Sequence, residues 1–351
     1  MEREPLIIGE LRAERPLIQG GMGVGISLSG LAGAVAKEGG IGMISTAQIG
    51  FREPGFEQSP IETNLRCIGE ELAKAREIAP KGIIGCNIMV ATKRYEDYVR
   101  AAARAGADLI ALGAGLPAKL PELTKGFRTK LAPIVSSLKA AAVICKLWDR
   151  HYQTAPDLMI VEGPEAGGHL GFDEETLANL GSLNYGEEIR RIKGHMRQYE
   201  ERYGKRIPVV AAGGIYDRAD VDYYMGELGV DGVQVATRFV TTEECDAPMA
   251  FKQAYLDAKK EDIVITKSPV GMPGRAIKNR FLREVGERKR PAGKCLQCLE
   301  KCNPKEIPYC ITEALLNTAR GKVQDALLFC GAKAYLANRI ETVHEVMAQL
   351  V

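Results

Sequence analysis

Glu162-Gly163-Pro164-Glu165-Ala166-Gly167-Gly168-His169-Leu170-Gly171 follows directly on the apolar run Leu158-Met159-Ile160-Val161. A short apolar run that stops at glycines reads as a buried strand feeding a turn. Glycine lets backbone approach a flat or charged ligand closely and adopts positive φ without strain. The histidine set among these glycines can exchange a proton near neutral pH. Taken alone, the stretch also fits a tight turn whose histidine is satisfied by a carbonyl. Its repetition along the chain settles the fold.

Working outward, the same unit of apolar strand, Gly- or Ser-rich turn and amphipathic helix recurs. Strands are expected at Pro16–Gly20, Ile41–Ser45, Ile83–Met89, Leu109–Leu112, Ala132–Ser137, Leu158–Val161, Pro208–Ile215 and Gly232–Val235. Helices are expected from a Ser27 cap onward, over Pro60–Ile78, and in a polar insertion over Asn184–Tyr203. Eight strands alternating with helices predict an α/β fold, a parallel (β/α)8 TIM barrel, with an open doubly wound sheet as the alternative. Polar and glycine residues gather after the strand ends, where such barrels build active sites. Gly213-Gly214 and Ala236-Thr237, after the last two strands, suit a phosphate held on backbone N–H groups. Gly20 to Gly25 superficially resembles a dinucleotide fingerprint, but no acidic residue closes a strand about 20 residues on.

The rhythm stops near Lys259, which divides the chain into a barrel over 1–259 and a mainly helical C-terminal cap over 260–351. In the cap, Ile263–Arg275 reads as an irregular crossing segment, followed by a basic stretch, a cysteine cluster and two or three closing helices, with too few strand signals for a sheet. The cluster is Cys295, Cys298, Cys302 and Cys310, with Cys330 further on. Thiolates so grouped select an iron–sulfur cluster or zinc. The spacing matches neither a ferredoxin pattern nor paired Cys-x2-Cys zinc sites, and packed free thiols are the third reading.

A net charge of +2 argues against a nucleic-acid footprint. The basic cluster from Lys278 to Arg290 reads as a solvated face or anion clamp. No apolar run approaches the roughly 20 residues that span a bilayer, and no secretory leader opens the sequence. These features lead us to expect a cytoplasmic protein with reduced cysteines, acting on a small-molecule substrate and compatible with a homodimer.

Gly20-Gly21-Met22-Gly23, Asn87, Glu162 to His169, Ala212-Gly213-Gly214-Ile215, Gln234 to Phe239 and Gly274-Arg275-Ala276 together resemble the nitronate monooxygenase (2-nitropropane dioxygenase) family. That family includes the flavin-dependent type of enoyl-ACP reductase. The likeness is collinear over nearly the whole chain. It implies an FMN-binding barrel, with the phosphate on Gly213, Gly214, Ala236 and Thr237. The flavin ring would lie near Met22, Asn87, Ala166 and Gly167, with Gln234 and Ser136 lining the pocket and Gly21 and Gly168 also binding the cofactor. His169 matches the family's active-site histidine. It would serve as base for a neutral nitroalkane or as electrostatic partner of a nitronate; in the alternative, an NAD(P)H-dependent reductase of enoyl thioesters or quinones, it would orient or protonate a thioester. Glu162 and Glu165 form a second acid/base pair, better suited to fixing a loop or a ribityl hydroxyl. His151, His195 and His344 read as surface residues. A phosphate-ligand sensor without catalysis is the reading from another class.

Overall fold

Alternation along the strands builds the molecule. In Leu158-Met159-Ile160-Val161, Leu158 and Ile160 join the barrel interior with Ile18, Met43, Leu109, Ala111, Ala132 and Val210. Met159 and Val161 point outward and pack with Ile144, Trp148, Ile189 and Ile192 of the surrounding helices. Two apolar layers on one strand require helices outside and side chains inside, the condition for a filled barrel.

The computed structural model describes residues 3–351. Leu17–Gln19, Ile41–Ser45, Ile83–Met89, Leu109–Gly113, Lys130–Val135, Met159–Glu162, Val209–Ala212 and Gly232–Val235 close into one barrel. Every neighbouring pair is parallel, and closure comes where Val233 pairs with Leu17. The fold is therefore the expected TIM barrel, and the open sheet is excluded. A hairpin that the sequence did not announce, Leu6–Ile8 with Leu11–Ala13, closes the N-terminal end by burying Leu6, Ile8 and Ala13 in the interior cluster.

Two expectations need correction. The first long helix runs over Ser29–Lys37, and Ser27 does not cap it. Ser27 Oγ instead accepts the Met22 N–H at 2.8 Å, shaping the preceding glycine loop. The helix N-terminus is satisfied from a distance: Asp246 accepts the N–H groups of Leu28, Gly30 and Leu31 at 2.8, 3.1 and 3.1 Å. A carboxylate there also complements the helix dipole.

The second correction concerns the cap, which does carry a sheet. Ile263–Lys267 and Pro273–Ile277 pair antiparallel, and the second strand pairs again with Gly168–His169. The segment read as irregular thus reaches across the barrel mouth and takes hold of the histidine loop. Closing helices lie at Arg280–Glu287, Ile311–Ala319 and Val343–Leu350. Cap residues Leu328, Val343, Val346 and Met347 share one core cluster with Leu17, Val233, Phe239 and Phe251 of the barrel. Among the described residues, no helix is long and apolar enough to cross a membrane.

Candidate active site

The strands end in loops that glycine keeps open. Gly213 has φ +90°, and a Cβ there would lie 2.9 Å from both Gly163 O and Ala166 N. Gly21 lies so close to Asn87 that a Cβ would meet the Asn87 Cβ at 2.3 Å. Any side chain at either position would fill the space a ligand needs or displace the backbone.

These loops surround a cavity of about 440 Å³ over the C-terminal ends of the strands, a size that suits a cofactor with a small substrate. Gly21, Met22, Asn87, Ser136, Glu162, Ala166, Gly167, Gly168, His169, Gly213, Gly214, Gln234, Ala236 and Thr237 all line it. The side chains of Asn87, Ser136, Glu162 and Gln234 make no hydrogen bond within the protein among the described residues, so their polar groups are left for a ligand.

Gly213 and Gly214 end the seventh barrel strand, and Ala236-Thr237 follow the eighth and open the short helix Thr237–Val240. First-turn N–H groups have no acceptor inside their own helix. Thr237 Oγ1 accepts the Gly331 N–H at 3.0 Å, drawing the cap onto this loop.

His169 sits half-buried at the cavity wall, held on three sides. Its backbone pairs with Gly274, its ring stands edge-on to Phe329 at 4.9 Å, and Nε2 lies 2.8 Å from Ser268 Oγ. Burial pushes the imidazole down to about 4, so it is neutral at neutral pH. Ser268 Oγ also accepts the Val270 N–H at 3.3 Å. Oγ accepts the Nε2 proton in one tautomer of the ring, which leaves Nδ1 basic.

Burial alone pushes the Glu162 carboxyl up to about 7. Nearby, the Tyr185 hydroxyl donates to the carbonyls of Glu162 and Ser136, at 2.8 and 3.1 Å, tying two strand ends together. Arg275 is buried, donates to the Ala166 carbonyl, and is flanked by Cys330 and Glu165. It braces the histidine loop from beneath.

Sequence reasoning missed Ser268, Phe329, Gly331 and Tyr185. Ser268 is 99 residues from its partner His169, and only the turn-rich run Ser268 to Gly274 hinted at a structured segment. Of the four clustered cysteines, only Cys298 reaches the cavity wall. Cys330 also lines the cavity, beside Arg275. His151 and His344 are exposed, as expected. His195 is half-buried, with Nδ1 2.8 Å from the Gln198 amide.

Comparison with known proteins gives this arrangement a family. A relative from Staphylococcus saprophyticus described as a probable nitronate monooxygenase is 27% identical over 311 residues, 82% of each chain. FabK from Thermotoga maritima superposes with a TM-score of 0.71 at 23% identity, over 96% of this chain and 91% of its own. A nitroalkane oxidase from Streptomyces ansochromogenes superposes with a TM-score of 0.70 at 19% identity, over 95% and 94%. At those identities the two structures speak to fold alone. The nitronate monooxygenase family model matches residues 4–351, and the chain belongs to that family of oxidoreductases.

Proposed function

We propose that the chain is an FMN-dependent oxidoreductase that oxidises nitronates, and nitroalkanes after deprotonating them. The observation that carries this reading is a histidine kept neutral by burial, its Nε2 2.8 Å from Ser268, at the wall of a glycine-lined cavity. The cavity fits FMN in two respects: the loops after the last two strands, Gly213-Gly214 and Ala236-Thr237, suit a phosphate, and Asn87, Ser136, Glu162 and Gln234 offer unpaired polar groups for the ring and ribityl chain. FMN, when bound, supplies the electron acceptor that no side chain here provides.

The protein's own groups have distinct tasks. Gly213, Gly214, Ala236 and Thr237 would hold the phosphate; Met22, Ala166, Gly167 and Gly168 would bound the ring. His169 takes the proton from the carbon next to the nitro group, leaving the anionic nitronate and an imidazolium beside it. Burial keeps the base unprotonated over a wide pH range, and the nitronate formed beside it offsets the cost that burial places on the imidazolium. Ser268 and Phe329 fix the ring in place during the transfer.

The test compares a neutral nitroalkane with its preformed nitronate, in wild type and His169→Ala, with bound FMN quantified in both. Oxygen uptake from the neutral substrate should fall by about 10²–10⁴ in the variant. The preformed nitronate should lose much less. Equal losses would remove the proton-abstraction role. Oxidation of NADPH or NADH coupled to an enoyl thioester, with no turnover of nitronate, would replace this reading with the reductase one.

A further inference from the structure

The cap contains a long stretch that the barrel chemistry leaves unexplained. Between the helices Arg280–Glu287 and Ile311–Ala319, residues Arg288 to Cys310 form no helix or extended strand. Irregular segments beyond about 12–15 residues are uncommon inside compact domains unless something functional organises them. Here the chain doubles back on itself. The Arg290 N–H donates to the Pro308 carbonyl at 2.8 Å, while the Lys93 N–H donates to Cys298 O and the Glu300 N–H to Ala91 O, at 3.1 and 3.0 Å.

The fold gathers the four cysteines of this stretch. All four lie within sixteen residues of the chain, and Tyr309 and Ile311, the neighbours of Cys310, belong to the same apolar cluster as Cys298 and Cys302. Cys298 and Cys302 pack against the small apolar cluster of Phe281, Leu299, Tyr309 and Ile311. Cys310 immediately precedes the nine-residue helix Ile311–Ala319.

We propose that Cys295, Cys298, Cys302 and Cys310 ligate a four-iron, four-sulfide cluster in the cap. A single zinc fits less well. With Zn–S near 2.3 Å, tetrahedral sulfurs must lie about 3.8 Å apart. Among the described residues, the trio of ligand atoms that gathers within 4.8 Å is Glu53, Cys67 and Glu70, not three of these sulfurs. A cube with one thiolate on each iron holds its sulfurs further apart than a single zinc does. Packed free thiols fit poorly too, because Cys295 is exposed.

Charge agrees. Binding releases four thiol protons and leaves four thiolates around a core of charge +2, a net −2. The stretch from Arg288 to Glu306 carries Arg288, Lys289, Arg290, Lys294, Lys301 and Lys305 against only Glu300 and Glu306. Through Cys298, Leu299 and Thr312 the cluster would border the cavity, a one-electron centre at the wall of the flavin site.

The experiment is metal and acid-labile sulfide analysis of the full-length protein, purified without oxygen and then incubated with ferrous iron, sulfide and a thiol reductant. Dithionite-reduced samples are followed by electron paramagnetic resonance. Wild type should hold about four irons and four sulfides per chain. Cys298→Ser and Cys310→Ser should each lose most of both, while Cys67→Ala, on the barrel helix Pro60–Ile78, keeps them. Circular dichroism of the same samples identifies any variant that has not folded, and the wild-type stoichiometry stands without the variants. One zinc per chain without sulfide, or no metal at all, would overturn the proposal. Neither result depends on which substrate the flavin site oxidises.

Discussion

The acid limb of the pH–rate profile is set by how dry His169 is. In water a histidine titrates near 6.5, so at pH 5.5 only about one ring in ten is neutral. Burial pushes His169 down to about 4, which keeps about 97% neutral at pH 5.5. The two situations differ about tenfold in usable base at that pH. The assay is kcat/KM for a neutral nitroalkane that ionises well above this range, measured between pH 4 and 8. The rate should stay near its plateau at pH 5.5 and decline only toward pH 4. The sign follows from the burial: the charged form is the one penalised, so the base form persists to lower pH. A midpoint near 6.5 would show a hydrated imidazole and refute the reasoning. A limb near 7 that survives in His169→Ala would instead belong to Glu162, whose carboxyl burial pushes up to about 7.

Other consequences are independent of the histidine. Gly213→Ala forces a Cβ to 2.9 Å from two backbone atoms at φ +90°; strain of about 1–2 kcal/mol should weaken FMN retention about five- to thirtyfold in fluorescence titration, and unchanged retention would remove this loop from the phosphate site. Arg238, directly after Thr237, forms a buried ion pair with Glu341 and donates to Gln349 at 2.6 Å. Arg238→Met leaves the buried Glu341 carboxylate only Arg339 and the Gln349 amide, at 3.0 and 2.8 Å, at a cost of up to about 3–5 kcal/mol, which for 351 residues lowers Tm by up to about 4–7 °C. Arg238→Met with Glu341→Leu should recover most of it; a silent single variant would show that the pair does not hold the C-terminus to the barrel. Burial raises the Glu341 carboxyl, but hydrogen bonds from Arg238 and Gln349 outweigh it and hold it down to about 2. The unfolded chain takes up this proton first, so the stability it contributes is complete above about 4.5 and fades as pH falls toward 2. Thermal melts of wild type and Glu341→Gln should therefore converge in acid, and a constant gap would contradict the pair.

The barrel was legible where strand chemistry was dense. Ile41–Ser45, Ile83–Met89 and Gly232–Val235 coincide with their sequence boundaries because apolar runs there meet glycine or polar turns abruptly. Pro60 likewise fixes the start of its helix. The hairpin Leu6–Ile8 with Leu11–Ala13 escaped notice because three-residue strands carry almost no period. The cap sheet escaped for a different reason: the Ile263–Lys267 run was seen, but its pairing depends on Pro273–Ile277 and on two residues of the histidine loop about a hundred positions earlier. The same long range hid Ser268 beside His169 and Asp246 at the helix beginning with Ser29. The glycine and polar lining of the cavity was readable because it sits at strand ends, which the fold alone brings together. Contacts contributed by the cap were not, since nothing in local sequence says which loop a cap segment will cover.

The most direct test of the account is the absorbance of the purified protein under anaerobic conditions, recorded before and after addition of nitronate, with NADH and NADPH in parallel cuvettes. An FMN enzyme that oxidises nitronates will show flavin bands that nitronate alone bleaches. Bands bleached only by a nicotinamide, or a protein with no flavin bands, would contradict it.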